Sequence, residues 1–190
     1  MSTIRTNNIM PIKIYDNFLP KEEFENIKSI FTHWNFPWYY VESVLAYDED
    51  VKQIENEKLN FQFAHLIYDE MIAQSEVFYK LKPLFEAIDP FHLIKVKANL
   101  NPNSGNIQYE HGMHKDIKAQ KNLNLKTAVY YLNTNNGYTK IDSTNEKIES
   151  VENRLVVFDS NELHTGSTTT DQKNRILINI NFIPKSIFDV

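Results

Sequence analysis

Hydrophobic positions change their period about halfway along the chain. In the opening stretch "IKIYDNFLPKEEFENIKSIFTHWNF", Phe24, Ile27, Ile30, Phe31 and Trp34 recur at helical spacing. Pro20 suits the first helical turn, and the acids after it complement the helix dipole. This predicts a short strand followed by a core-facing helix. "FPWYYVESVLAY" and "FQFAHLIY" read as extended, residues 47–60 as a polar loop, and "SEVFYKLKPLFEAI" as a second helix with Ser75 as its N-cap. From Phe91 the pattern becomes β. "FHLIKVKANL", "KTAVYYL", "RLVVFD" and "RILININFI" are short runs rich in β-branched and aromatic residues. Weaker strands are expected around His114, Thr139 and Ile148. The spacing predicts a mainly β protein with flanking helices, its antiparallel sheet closed or sandwiched as in a jelly roll. The organisation expected is a single domain over 1–190, with a helix-containing support region (1–90) and a β core (91–183).

Composition narrows the function. A chain of 190 residues buries enough surface to fold without staples. With no cysteine, disulfides, zinc ribbons, iron–sulfur clusters and cysteine nucleophiles are excluded. The net charge is −5 and no lysine or arginine block stands out, which argues against a nucleic-acid partner. No run is apolar enough for a signal peptide or a membrane span, so the expected setting is the cytoplasm. All four glycines, Gly105, Gly112, Gly137 and Gly166, follow position 100, in keeping with a turn-rich second half. Arginine is scarce: only Arg5, Arg154 and Arg175.

Candidate chemistry concentrates in "YEHGMHKDI", Tyr109 to Ile117. Gly112 and the lack of helical period argue against a helix there. In a strand, His114 and Asp116 point the same way, about 6.6 Å apart, close enough to chelate one ion. His111, an odd number of residues from both, is turned away, and with Glu110 becomes a rim residue. A third ligand must come from elsewhere. His33, His65 and His92 read as packed or surface residues. His164, in a turn between "RLVVFD" and "RILINI", can project onto the metal. Two histidines and a carboxylate form the facial triad of non-haem iron(II), although imidazole and carboxylate suit other divalent ions too.

Alternation in "RILININ" puts Arg175, Leu177, Asn179 and Asn181 on one face and Ile176, Ile178, Ile180 and Phe182 on the other. An inward arginine must find an anion, either a protein carboxylate or a bound small acid held by a bidentate pair. In "KTAVYYLN", Thr127, Val129 and Tyr131 share a face, and Tyr131 could offer its hydroxyl to the same acid. Packing is the ordinary role for such a tyrosine.

His114-Lys115-Asp116, then "TAVYYLNTNNGYT", then His164, then Arg175 resembles the iron(II)- and 2-oxoglutarate-dependent dioxygenases, and more narrowly their prolyl-hydroxylase-like branch and its short phage and marine-bacterial members. The likeness covers about residues 91–183 and, more loosely, the "IYDNFLPKEEF" opening. It implies a double-stranded β-helix (cupin-like) core, Fe(II) on His114, Asp116 and His164, and O2 and 2-oxoglutarate as cosubstrates. Arg175 would hold the distal carboxylate of 2-oxoglutarate, with Tyr131 and Thr127 as further candidates to bind it. The implied reaction is hydroxylation of a peptide or small-molecule substrate, a prolyl residue first, with release of succinate and CO2. Asn101 and Asn181 stand where the family often has aromatic residues. Residues 101–113 and 42–58 are candidate lids. The other readings are a non-enzymatic jelly-roll module that binds a metal or small acid, and a cupin-type isomerase.

Overall fold

The computed structural model describes residues 12–44, 57–117 and 124–185. A strand β1 (Lys13–Tyr15) leads into helix α1 (Lys21–Thr32). Then come β2 (Tyr39–Val41), β3 (Gln62–Asp69), β4 (Ile72–Ala73), α2 (Val77–Lys80) and α3 (Lys82–Ile88). The remaining elements are all strands: β5 (Pro90–Pro102), β6 (Lys126–Tyr131), β7 (Asn135–Ile141), β8 (Glu146–Ser150), β9 (Leu155–Asp159), β10 (His164–Gly166) and β11 (Asn174–Pro184). An eight-stranded sheet has the order β1-β9-β6-β11-β5-β3-β2, with β4 paired to β3, and a three-stranded sheet has the order β10-β7-β8. The two sheets form the jelly-roll, double-stranded β-helix core. The first half of the chain is woven into the large sheet, because β1 pairs with β9 and β3 with β5.

Strand alternation sorts the core into two layers. Ile176, Ile178, Ile180 and Phe182 of β11, with Ala128 and Tyr130 of β6, face outward onto Leu19, Phe24, Ile27 and Phe31 and onto Leu81 and Leu84. Val129, Tyr131 and Leu177 face the other way, between the sheets, against Ile141, Ile148, Val156 and Phe158. Each such side chain contributes about 1.5–3 kcal/mol by leaving water. Asn153, buried with φ 57°, ties the layers to the chain entry. Its Oδ1 accepts from the Leu19 N–H (3.0 Å) and from the Tyr130 hydroxyl (2.7 Å), and its Nδ2 donates to the Leu19 carbonyl (2.8 Å). Asparagine tolerates this left-handed backbone better than most residues. Nearby, Arg154 clamps Asp16 through Nε (2.6 Å) and Nη2 (3.1 Å).

Several local expectations need correction. Pro20 sits at the N-cap, one residue before α1. The helix ends at Thr32 and His33 is extended, so Trp34 no longer follows the buried face and is 89% exposed. The second helix is broken at Leu81 into α2 and α3. Pro83 has no N–H for the Tyr79 carbonyl, and its ring crowds that carbonyl, so one continuous helix is ruled out. The N-cap of α2 is Glu76 rather than Ser75, whose Oγ nevertheless accepts from the Val77 N–H at 3.2 Å. No regular strand surrounds His114, which makes only an isolated bridge to His164. His164 is the first residue of β10 rather than a turn residue. Most of the 47–60 loop, with the lid candidate drawn from it, and Arg5 lie outside the described residues.

Candidate active site

Strand β11 sits between β5 and β6, hydrogen-bonded to both, and its inward row is Arg175, Leu177, Asn179 and Asn181. On β5 the matching row is Asn101, Asn99, Lys97 and Lys95, directly paired with it. All of these residues except Asn181 line a cavity of about 520 Å³, as do His114, Asp116, His164 and Thr139.

His114, Asp116 and His164 each present a ligand-type atom, all within 4.8 Å of one another. Asp116 Oδ1 is 3.7 Å from His114 Nε2, and Oδ2 is 3.4 Å from His164 Nε2. The ring tautomers are set from behind. His114 Nδ1 lies 3.0 Å from the Gly112 carbonyl and His164 Nδ1 lies 3.1 Å from the Glu162 carbonyl. A carbonyl only accepts, so each Nδ1 carries a proton, and Nε2, the atom turned toward the carboxylate, is the one left to bind a metal once it is unprotonated. A histidine that binds a metal is held in this way. Asp116 is held in turn by the Asn179 amide (2.9 Å), and more loosely by Asn181 (3.4 Å). Although the segment is not a regular strand, His114 and Asp116 still converge, because these two amides hold Asp116 over β11.

Burial disfavours charge on Asp116, yet the His164 hydrogen bond and both imidazoles hold its carboxyl well below the usual range. Burial likewise disfavours charge on His164, but the Asp116 pairing outweighs it and raises its pKa. His114 is lowered, chiefly by burial and then by His164. The cluster thus offers one carboxylate and two imidazoles, the donor set of a non-haem iron site.

Arg175 is 1% exposed. Its Nε donates to Ser150 Oγ (2.7 Å) and its Nη2 to Thr139 Oγ1 (3.0 Å), while Nη1 reaches the Ser167 carbonyl at 3.5 Å. The guanidinium lies over the Tyr131 ring, 5.4 Å from its centroid. No carboxylate pairs with it among the described residues, and a buried guanidinium favours an anion beside it. Two glycines make room for the side chain: a Cβ at Gly137 would lie 2.6 Å from Arg175 Cδ, and one at Gly166 would lie 3.1 Å from Nη1. A dicarboxylate reaching from the histidine cluster to Arg175 fits this donor set.

The remaining candidates fall into different places. Tyr131 is fully buried behind Arg175, off the cavity wall, and its hydroxyl donates to Thr139 Oγ1 (2.8 Å). Thr127 is also off the wall; its Oγ1 accepts from Asn181 Nδ2 (3.0 Å) and pairs with Ser160 Oγ (2.9 Å), beneath the Asp116 support. His111 does line the cavity but is turned from the cluster, between Asn60 Oδ1 (3.0 Å) and Asn101 Nδ2 (3.3 Å). Glu110 accepts from the Tyr138 hydroxyl (2.7 Å) and pairs with Lys140 (3.3 Å). His65 is packed, bonded to the Pro37 carbonyl and Ser75 Oγ at 2.9 Å each. Sequence reasoning missed Thr139, Ser150 and the cavity lysine Lys97, whose pKa is lowered mainly by burial while the Asp116 charge opposes the shift. Alternation along β5 could have found Lys97, two residues from Asn99 on the same face.

Three solved structures share the fold. A prolyl hydroxylase from Trichoplax adhaerens, in complex with a hypoxia-inducible-factor peptide, is 17% identical with a TM-score of 0.63, covering 92% of this chain and 84% of that one. A prolyl-4-hydroxylase from Pseudomonas putida is 15% identical with a TM-score of 0.59, covering 92% of each chain. A viral collagen prolyl hydroxylase from Paramecium Bursaria Chlorella virus-1 is 16% identical with a TM-score of 0.51, covering 90% of this chain and 94% of that one. None of the curated proteins matches the sequence. The family model of the 2OG-Fe(II) oxygenase superfamily matches residues 102–183. No helix among the described residues is long and apolar enough to cross a membrane. That matched segment carries both histidines, the aspartate and the arginine of the cavity, so the part of the chain that builds the site is the part similar to the 2OG-Fe(II) oxygenases.

Proposed function

We propose that the chain is an Fe(II)- and 2-oxoglutarate-dependent dioxygenase that hydroxylates a C–H bond of a peptide or small-molecule substrate, with a prolyl residue the first to test, while 2-oxoglutarate and O2 become succinate and CO2. His114, Asp116 and His164 would hold the iron. Arg175 would hold the far carboxylate of 2-oxoglutarate. Thr139 adds a donor there: its two lone pairs already accept from Tyr131 and Arg175, so its own hydroxyl proton is left to give. Tyr131 then acts through Thr139, and Thr127 acts through Asn181 on Asp116. We take 91–183 as the catalytic core and 1–90 as its support within one domain.

One observation carries this reading. A single cavity holds three metal-type ligand atoms within 4.8 Å and a buried guanidinium with no carboxylate partner among the described residues. Iron with its two cosubstrates supplies the oxidising chemistry, and the chain supplies orientation and a shielded cavity. The proline suggestion rests on the fold shared with prolyl hydroxylases. The test is succinate release from 2-oxoglutarate that depends on added iron(II), together with His114→Ala. The variant is expected to lose iron binding and succinate release. Iron binding like that of the wild type would overturn the ligand assignment, and no succinate from the iron-loaded wild type would overturn the reaction.

A further inference from the structure

We propose that Lys97 is the anchor for a carboxylate carried by the substrate itself, so that the substrate is a free amino or imino acid rather than an internal residue of a polypeptide. The inference rests on the oxygenase reading and narrows its substrate.

The lysines around the cavity differ in one respect. Of the other lysines that line it, Lys95 pairs with Asp69 at 2.9 Å, and Lys115 is exposed, so water screens its charge. Lys97 lines the cavity, is only partly exposed, and has no carboxylate oxygen within 4.0 Å among the described residues. The negative charge that acts on it is that of Asp116, which the proposed metal would claim. In the loaded site, the charges of iron(II) and Arg175 are matched by Asp116 and the two carboxylates of 2-oxoglutarate. The Lys97 ammonium is left over, half-enclosed, and a cation so placed favours an anion beside it.

Its position says which anion. Lys97 pairs across the sheet with Asn179, the residue that holds Asp116, whereas Arg175 pairs with Asn101, four residues along β11. That spacing is about 13 Å along the strand, so Lys97 stands by the metal end and Arg175 at the far end. Between them Asn99, 9% exposed, lines the same wall, and its Oδ1 has no hydrogen-bond partner among the described residues. The terminal amide torsion is broad, and a turn about it brings that oxygen to the cavity to accept an N–H. A carboxylate for Lys97 with an N–H beside it for Asn99 describes an amino or imino acid. An internal prolyl residue has neither group and would leave both side chains unmatched.

The test uses the Mn(II)·2-oxoglutarate form of the full chain in calorimetry, and the iron(II) form in succinate-release assays. The probes are the common free L-amino acids, L-proline included, each set against its N-acetyl amide, plus an end-blocked peptide with an internal proline. At least one free acid is expected to bind and to stimulate succinate release while its blocked form does neither. Lys97→Met should weaken that acid by about tenfold or more, Lys97→Arg should restore part of the loss, and the affinity for 2-oxoglutarate should move less than about threefold. Blocked forms binding as well as free ones would overturn the proposal, and so would a panel in which no free acid binds. An equal loss of 2-oxoglutarate affinity in Lys97→Met would overturn it as well, assigning Lys97 to the metal-end carboxylate of the cosubstrate. A wild type that does not bind 2-oxoglutarate at all would instead bring down the oxygenase reading beneath it.

Discussion

His111 should make the protein acid-sensitive, in a way that one substitution removes. The ring is 5% exposed, and Nδ1 donates to Asn60 Oδ1 at 3.0 Å while Nε2 accepts from Asn101 Nδ2 at 3.3 Å. This arrangement suits only the neutral ring, because a second proton would set Nε2–H against an amide donor. Burial first, then the charges of Arg175 and His114, push the pKa from 6.5 to about 3. The unfolded chain therefore binds a proton that the folded chain refuses throughout that interval. Stability from this residue is complete above about pH 6.5 and falls as pH drops toward 3. At about pH 5 the gap is roughly 1.5 pH units, and at about 1.4 kcal/mol per unit the loss is about 2 kcal/mol. Urea unfolding of the metal-free protein at about pH 7 and about pH 5 measures it. His111→Gln keeps one donor and one acceptor but cannot titrate. Whatever it costs at neutral pH, its stability should fall by about 2 kcal/mol less than that of the wild type between the two pH values. Parallel losses in the two proteins would refute the reasoning and mean that His111 titrates normally in the folded state.

Arg175→Met removes the one charged donor that the described residues place at the far end of the cavity. Loss of a paired charge of this kind should raise the 2-oxoglutarate Kd by about a hundredfold while Mn(II) binding persists, as read by calorimetry. Gly137→Ala puts a methyl 2.6 Å from Arg175 Cδ, so the guanidinium must shift; the same assay should show about a tenfold weaker Kd for 2-oxoglutarate with the metal site intact. Asn153→Ala strips three buried hydrogen bonds that join Leu19 and Tyr130, and should cost about 2–4 kcal/mol in urea unfolding without moving the 2-oxoglutarate Kd.

Where a strand has one face on each layer, its role was legible in the sequence. Period-two alternation put Ile176, Ile178 and Ile180 under the helices and Arg175, Leu177 and Asn179 in the cavity, and β11 is built so. The same parity held for β6, with Tyr130 outward and Tyr131 between the sheets. Failures came where a short-range rule was cut off by one residue. Pro83 splits a helical pattern that is otherwise continuous, and the end of α1 at Thr32 strands Trp34 in solvent. Around His114 the regular strand assumed in choosing His114 and Asp116 is absent; the pair converges through Asn179 and Asn181, some sixty residues later in the chain. The partners of Arg175 were unreadable for a related reason. Thr139, Ser150 and Ser167 come from β7, β8 and the segment after β10, and nothing local in those weakly patterned stretches says that they meet.

The alternation of β11 also bears on how faithfully the chain must fold. A slip of one residue against β5 and β6 would turn Arg175 into the helix-packed layer and put Ile176 in the cavity. The hydrophobic layer and the buried guanidinium of the cavity would fail together. A misregistered chain could not hide as a stable but inactive molecule; it would lose its core along with its chemistry, and intact folding is then itself a check on the site.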